Sequence, residues 1–347
     1  MKPLGKFPDR FLSEIAGQPD AIRRAAAGLE EQTTALAKAR EAGARAGAVV
    51  FTGMGASYNA CYVPVTLLTQ RGVHAVIVDS AELLHFRLPT LTADTLLVCV
   101  SQSGESAEPV ALMEALAERR SRPTVVSVTN GLENRIARAA DLCLDMCTGE
   151  EAGPSTMTFA ASLTVLAALF SEGEADGAGA TAAQLERLLA QPETDADALV
   201  EWLGERPTLA LLGRGCARAA SETGALVLKE AAHLAAEALE AGQFRHGPIE
   251  LAGPGLAAIV VATEPATRAL DLALAADLVA TGAAVLVAVH DGAAPDGART
   301  LKIGDLPPAL APAVAILPAQ LIAWRLARWR GLDPCAFAVG SKVTTRE

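Results

Sequence analysis

A run of hydroxyl side chains after an apolar segment is the feature of this sequence best suited to chemistry. Ser101-Gln102-Ser103-Gly104-Glu105-Ser106 follows the apolar run Leu96–Val100 and precedes the helical stretch Ala107–Arg119. This order predicts a strand, a loop and a helix N-terminus, whose free N–H groups and positive partial charge favour an anion. Ser57 follows an earlier apolar run and can join from the neighbouring crevice. A phosphomonoester on a small molecule suits this site, although an ordinary helix N-cap with a polar loop explains the same residues.

A second group of candidates is a carboxylate and an imidazole in the second half of the chain. Glu230 lies in an Ala- and Leu-rich helical stretch, and His246 lies in the glycine-bounded loop that follows. Burial raises the pKa of a carboxyl group, and histidines titrate near neutral pH, so an acid–base pair is one interpretation. The pattern by itself favours a simpler one, with Glu230 solvated beside Lys229 and His246 in a turn.

Several function classes are disfavoured by motifs and charge. Gly53-x-Gly55 begins like a dinucleotide fingerprint, but Tyr58 stands where the third glycine belongs. Cys143-x3-Cys147 has no second pair and no nearby histidine, so neither a metal site nor a cofactor is expected. Lys and Arg number 29 against 40 Asp and Glu, a formal net charge of −11 without a basic block. Nucleic acids and anionic membranes are therefore disfavoured as partners.

The sequence also predicts a soluble, cytoplasmic protein. Two charge-free runs, 153–171 and 306–324, contain proline and are marginal in length, so buried core helices explain them better than membrane spans. The first eleven residues lack the apolar region of a secretory signal.

Strand-like and helical stretches alternate twice along the chain and would position these candidates. Such alternation predicts an α/β fold in which an internal duplication builds two parallel, doubly wound sheets flanked by helices. The predicted strands are Ala48–Phe51, His74–Val78, Thr95–Val100, Thr124–Val128, Leu142–Leu144, Thr208–Leu212, Leu256–Ala262, Ala284–Val289 and, as a last strand, Ala313–Leu317. The other predicted helices are 9–44, Ala182–Gly204, Ala217–Leu239 and Arg268–Ala280, with a linker or exposed loop at 173–181. We predict a helical segment over 1–44, domains over 45–180 and 181–330, and a C-terminal tail over 331–347.

Taken together, these stretches resemble the SIS (sugar isomerase) family, and within it the isomerase half of glutamine–fructose-6-phosphate amidotransferases. The resembling residues occur in the family's order along the whole chain. They are Glu14-Ile15-x-x-Gln18-Pro19, Gly55-Ala56-Ser57-Tyr58-Asn59, Ser101-Gln102-Ser103-Gly104-Glu105-Ser106, Gly213-Arg214-Gly215, Leu228-Lys229-Glu230, His246-Gly247-Pro248 and Ser341-Lys342-Val343-Thr344. The resemblance implies two tandem SIS domains and a tail that takes part in the active site.

The resemblance also implies roles for individual residues. Glu230 would move a proton between C1 and C2 of a sugar phosphate, and Lys342 would handle the C2 position. His246 would assist ring opening at the neighbouring subunit's site, which implies a homodimer. The residues implied to bind the phosphosugar are Ser57, Ser101, Gln102, Ser103, Ser106 and Ser341.

Departures from the amidotransferase pattern decide the expected function. No glutaminase half precedes the first domain, so glutamine is not expected to supply ammonia. The tail reads Ser341-Lys342-Val343-Thr344 where amidotransferases have Lys-Ser-Val-Thr, and Ala235 and Met157 replace a histidine and a lysine. We therefore expect an amino-sugar phosphate deaminase that converts glucosamine 6-phosphate to fructose 6-phosphate and ammonia. A phosphosugar aldose–ketose isomerase and a non-catalytic phosphosugar-binding regulator are the alternatives.

Overall fold

Two parallel five-stranded sheets form the framework of the molecule. The computed structural model describes residues 9–171 and 174–346; residues 1–8, 172–173 and 347, on which parts of the sequence predictions fall, lie outside the described residues. The strands of the first sheet are β1 (Ala48–Thr52), β2 (Ala75–Ile77), β3 (Thr95–Ser101), β4 (Thr124–Thr129) and β5 (Leu142–Asp145). Those of the second are β6 (Thr208–Gly213), β7 (Ala236–Glu240), β8 (Leu256–Val261), β9 (Ala284–Val289) and β10 (Arg299–Lys302).

Strand order places a crevice in the middle of each sheet. The orders are β2-β1-β3-β4-β5 and β10-β9-β8-β6-β7, with every strand pair parallel. The order reverses between β1 and β3 and again between β6 and β8, so the carboxyl ends of these pairs flank a topological switch point. The predicted α/β fold with two parallel sheets is confirmed.

Helices cover both sheets. Those of the first half are α1 (Arg10–Ala16), α2 (Gln18–Glu31), α3 (Thr33–Arg45), α4 (Gly55–Ala60), α5 (Tyr62–Gln70), α6 (Ser80–Glu82), α7 (Ala107–Ala117), α8 (Arg135–Ala139) and α9 (Met157–Phe170). Those of the second half are α10 (Ala178–Leu188), α11 (Pro192–Leu203), α12 (Ala217–Ala232), α13 (Ala241–Phe244), α14 (Arg268–Ala280), α15 (Ala311–Ala315) and α16 (Leu317–Arg330). The predicted helix 9–44 is thus three helices, and the predicted helix Ala182–Gly204 is two.

One hydrophobic core joins the two halves. Every residue of α9 is buried, and α9 packs with α2 on one side and with α4 and α5 on another. Helix α12 packs against α4 of the first half and against α16 of its own half. Because the same cluster of buried side chains contains Val98 of β3 and Leu228 of α12, the two halves hold each other in a fixed relation.

Two predicted elements of the second half are wrong. The run Ala313–Leu317 is helical, not a strand: it lies across α15 and the start of α16 and is buried on all sides. Such a run has no polar face, so its periodicity does not separate a buried helix from a buried strand. The predicted helix Ala217–Leu239 ends at Ala232, because His233 adopts a left-handed conformation with φ of 51°, and β7 follows.

Candidate active site

A cavity of about 180 Å³ opens at the carboxyl edge of the first sheet, at the switch point between β1 and β3. Residues from the loops after β1 and β3, the segment before α9, helix α12 and the C-terminal tail meet there. The lining residues are Met54, Gly55, Ala56, Ser57, Val100, Ser101, Gln102, Ser103, Ser106, Gly153, Pro154, Ser155, Leu226, Glu230, Phe337, Ser341, Lys342 and Thr344. All the predicted site residues except His246 are therefore brought together.

The loop after β3 presents its hydroxyl groups toward this cavity. The Gly104 N–H donates to Ser101 Oγ at 3.1 Å, and the Glu105 N–H donates to Ser103 Oγ at 3.1 Å. Each hydroxyl accepts a backbone hydrogen bond and keeps its own proton for a bound group. Gly104 has φ of +65°, and a Cβ there would lie 1.9 Å from Asn134 Oδ1, so the tight loop requires glycine.

Ser106 occupies the N-cap position of α7, but its side chain makes no capping hydrogen bond. The simple N-cap explanation therefore does not account for this residue. Its hydroxyl lines the cavity beside the first turn of an 11-residue helix, where free N–H groups and the helix dipole favour an anion.

Ser57 enters the cavity from the first turn of α4. The chain between β1 and α4 passes close to β3: a Cβ on Gly53 would lie 2.7 Å from the Val100 carbonyl oxygen. Gly55 has φ of +54°, a conformation that side chains rarely adopt. The two glycines thus serve a close backbone approach and a turn, which explains a Gly-x-Gly pattern without a dinucleotide.

Glu230 lies on the face of α12 that lines the cavity, one turn after Leu226. It is half-buried, whereas its neighbour Lys229 is exposed, so the interpretation of Glu230 as a solvated residue is wrong. Burial raises the pKa of Glu230, the positive charge of Lys342 lowers it, and the negative charge of Glu151 raises it further. A carboxyl group whose pKa is raised and which lines a cavity can exchange a proton with a bound substrate.

The C-terminal tail closes one side of the cavity. The Ala107 N–H at the start of α7 donates to the Thr344 carbonyl oxygen at 2.9 Å. The Lys342 ammonium donates to Glu151 Oε2 at 2.9 Å and to the Gly153 carbonyl oxygen at 2.6 Å. Lys342 therefore reaches the cavity although it stands one position away from the lysine of the amidotransferase tail.

Sequence reasoning missed Glu151, which is the anionic partner of Lys342. Its side chain has no solvent exposure. One oxygen accepts hydrogen bonds from the Thr156 and Thr158 N–H groups at the start of α9, and the other accepts from the Thr158 hydroxyl at 2.6 Å. The available signal was an acidic residue a few positions before a helix, where it complements the helix dipole.

Glu14, from the first resembling segment, supports the same region. Its carboxylate accepts hydrogen bonds from the Ala152 N–H at 2.7 Å and the Gly153 N–H at 3.0 Å. It is buried, and burial raises its pKa. Glu14 thus orients the backbone that presents the Gly153 carbonyl to Lys342.

His246 lies outside this cavity. It is exposed, in the turn after α13, next to Gly247 with φ of +117°. The implied role at a neighbouring subunit's site stays a prediction. Ala235 is exposed and Met157 is buried, and neither lines the cavity.

Residues 9–171 and 174–346 hold neither a membrane-spanning helix nor a cluster of metal ligands. Within these ranges no helix combines the length and the apolar character needed to cross a membrane. No three His, Cys, Asp or Glu side chains of the same ranges come together in a way that could hold a metal ion.

Comparison with known proteins places this geometry in a family. A glutamine–fructose-6-phosphate aminotransferase (isomerizing) of Pyrobaculum aerophilum is 32% identical over 350 residues, which cover 96% of this chain and 57% of that protein. The chain thus spans little more than half the length of the curated relatives it matches.

Solved structures share the fold. The tagatose-6-phosphate ketose/aldose isomerase of Escherichia coli superposes with a TM-score of 0.81 at 22% identity, covering 93% of each chain. The glucosamine-6-phosphate deaminase of Thermotoga maritima gives a TM-score of 0.69 at 21% identity, covering 96% of this chain and 99% of the other. The SIS domain model matches residues 44–172 and 203–327, one match for each sheet. With well over half of its length matched in this way, the chain belongs to the SIS domain family.

Proposed function

We propose that the protein is an isomerising amino-sugar phosphate deaminase that converts glucosamine 6-phosphate and water to fructose 6-phosphate and ammonia. One observation carries the proposal: the cavity joins a half-buried carboxyl group, Glu230, and a cation, Lys342, to serine hydroxyls at a helix N-terminus. The relative that is 32% identical is named for fructose 6-phosphate, which supports a phosphorylated hexose as the ligand.

The phosphate is assigned to the hydroxyl-rich loop. Ser101, Ser103 and Ser106 each keep an O–H for a phosphate oxygen, and hydrogen bonds to a charged group are the stronger kind. Ser57, Gln102 and Ser341 are further polar residues that line the same cavity. With the phosphate held there, the rest of the sugar extends toward Glu230.

The proposed reaction begins when Glu230 takes the proton from C2 of the open-chain amino aldose and delivers it to C1. In the same step the amine at C2 gives up one proton and the aldehyde oxygen at C1 gains one, so the C2–N bond becomes the C=N bond of a ketose imine and C1 becomes CH2OH. Water then adds to the imine carbon, the C–N bond breaks, and ammonia leaves with fructose 6-phosphate as the second product. Lys342, which lines the same cavity as Glu230, directs its positive charge and its remaining N–H toward C1 and C2 as negative charge develops there.

A plain aldose–ketose isomerase is the second candidate. Glu230 alone suffices to move a proton between C1 and C2, and no residue described along the cavity wall is specific for nitrogen. A phosphosugar-binding regulator would need the hydroxyl loop but not Glu230.

The deciding experiment measures ammonia and ketose phosphate in the same reaction. Glucosamine 6-phosphate and glucose 6-phosphate are supplied separately, with Glu230→Gln as the matched control. Ammonia together with fructose 6-phosphate supports the deaminase, and ketose formed only from glucose 6-phosphate supports the isomerase. If neither sugar gives a product, the deaminase and the isomerase are both refuted for these substrates. If the wild type and Glu230→Gln both bind the sugar phosphates without turnover, the regulator is favoured.

We further propose that His246 completes the site of a second copy in a homodimer, consistent with its exposure away from its own cavity. Mixing the inactive variants His246→Asn and Glu230→Gln tests this. Random reassortment makes half of the dimers mixed, each with one intact site of two, so about a quarter of the activity returns. No recovery, with subunit exchange shown by mass spectrometry, would refute the shared site.

A further inference from the structure

We infer that Glu151 is a positioning residue that fixes Lys342 at the cavity wall, so that Lys342 serves the reaction as a hydrogen-bonding cation and not as a nucleophile that forms an imine. The kinetic part of this inference rests on the proposed function, whereas the placement of Lys342 does not. Glu151 does not line the cavity, so it does not touch a ligand itself: it holds Lys342, and its negative charge raises the pKa of Glu230.

The first argument is that Glu151 itself is rigidly held. The N-terminus of α9 is buried, so its N–H groups need acceptors within the protein. Glu151 Oε1 accepts from the Thr156 N–H at 2.9 Å and the Thr158 N–H at 3.1 Å. Oε2 accepts from the Thr158 hydroxyl at 2.6 Å. A carboxylate fixed at both oxygens presents its remaining acceptor capacity in one direction.

The second argument is that this direction meets the tail. Lys342 Nζ donates to Glu151 Oε2 at 2.9 Å and to the Gly153 carbonyl oxygen at 2.6 Å. The buried carboxylate of Glu14 accepts a hydrogen bond from the Gly153 N–H, so both acceptors of the ammonium are fixed by buried groups. The lysine side chain is 24% exposed, whereas Glu151 is fully buried. The flexible partner is therefore positioned by the rigid one.

The third argument concerns the chemistry left to Lys342. Two of its three N–H donors are committed to Glu151 and Gly153, and the third remains for a ligand in the cavity. Imine formation would require the ammonium to lose a proton and to leave a fully buried carboxylate without its counter-charge, which is costly. The arrangement suits a fixed positive charge beside Glu230.

A double-mutant cycle tests the positioning role. Glu151→Gln keeps the side-chain volume and one oxygen for α9, and the exposed neighbour Glu150 provides the matched control Glu150→Gln. At a pH high enough to keep Glu230 ionised in every variant, we expect Glu151→Gln and Lys342→Met each to lower kcat by about tenfold or more, and the double variant to match Lys342→Met alone. A further loss of similar size when Glu151→Gln is added to Lys342→Met would overturn the inference, because Glu151 would then act independently of the lysine.

A second measurement needs no turnover and so separates this inference from the proposed function. Lysine acylation is followed by peptide mass spectrometry without substrate, with the exposed Lys229 as internal reference. Glu151→Gln removes one of the two acceptors that hold the ammonium, so the relative labelling of Lys342 should rise by about tenfold in this variant. Glu150→Gln should leave it unchanged. Equal labelling of Lys342 in all three proteins would refute the anchoring.

Two controls keep the result decisive. If Glu151→Gln does not fold by circular dichroism, Thr158→Val, which removes one bond to Glu151, should raise Lys342 labelling by a smaller factor. No rise in a folded Thr158→Val would then overturn the anchoring. Borohydride added with substrate should leave Lys342 unmodified; a reduced sugar adduct on this nitrogen would show that the carbonyl carbon had bonded to it with loss of water, which overturns the cation role.

Discussion

Replacing Ser106 with alanine should separate ligand binding from helix capping. An N-cap serine that bonds the helix backbone stabilises a protein by about 0.5–2 kcal/mol. Ser106 makes no such bond, so we expect Ser106→Ala to change the free energy of unfolding by less than about 0.5 kcal/mol. The lost hydroxyl should instead cost about 1.5–3 kcal/mol of binding free energy, the range for a hydrogen bond to a charged group.

That loss corresponds to a weakening of phosphosugar affinity by about 10- to 150-fold. Titration calorimetry with sorbitol 6-phosphate measures it cleanly, because this ligand has no carbonyl group to isomerise. Urea unfolding supplies the stability of the same proteins. Ser13→Ala, an exposed serine outside the cavity, is the matched control and should change neither quantity appreciably.

The opposite result would refute the reasoning. A stability loss near 1 kcal/mol with full affinity would make Ser106 a structural cap. Ser103→Ala provides a graded comparison: its hydroxyl also accepts the Glu105 N–H at 3.1 Å, so this variant should lose both affinity and loop order. If only Ser103→Ala weakened binding, the phosphate would lie nearer the middle of the loop than proposed.

Three further predictions follow from the ionisable groups. Glu230→Gln should abolish turnover by more than about 100-fold while calorimetry finds sorbitol 6-phosphate affinity within about threefold of wild type. Lys342→Met should move the acid limb of the kcat/KM pH profile to higher pH, because it removes the charge that lowers the pKa of Glu230, and a base must be ionised; an unmoved or lower limb would contradict this. Arg214→Met should lower the free energy of unfolding, measured with urea at pH 8, by about 3–5 kcal/mol. The reason is that it leaves the fully buried Asp271, 2.8 Å away, without its counter-charge. Burial raises the pKa of Asp271 to about 6 and Arg214 opposes the rise, so the loss of stability should shrink as falling pH protonates Asp271. The control Arg245→Met removes one partner of an exposed ion pair and should lower the free energy of unfolding by less than about 1 kcal/mol.

The central strands could be predicted from the sequence because their apolar composition matches the buried position that they occupy in the sheet. Every residue of β3 is buried, and its run is short and contains the β-branched residues Thr95, Val98 and Val100, which favour a strand over a helix. Strand β7, by contrast, reads Ala-Glu-Ala-Leu-Glu, residues that favour a helix. It becomes an edge strand because it pairs with β6 and because His233 ends the preceding helix. Tertiary pairing overrides local preference there.

The site was predictable where its residues are adjacent in the chain. The serine loop follows from one strand–loop–helix order, and the structure leaves its hydroxyl protons free, as a ligand site requires. The ion pair of Lys342 with Glu151 joins residues 191 positions apart, and only the docking of the tail on α7 creates it. Neither residue signals the other in the sequence.

Among the described residues, a cavity lined by hydroxyl groups opens at the switch point of the first sheet and not at the equivalent point of the second, and a comparison of the two halves explains why. Gly55 and Gly215 occupy equivalent turns after β1 and β6, and both have φ of +54°. In the first half the crevice opens on serine hydroxyls. In the second, Glu264 follows β8 and its carboxylate accepts the Cys216 N–H at 3.0 Å, at the N-cap of α12. A carboxylate of the protein thus takes the position that an anionic ligand would need. The duplication therefore keeps the geometry for binding an anion twice, and a single acidic side chain closes the second copy.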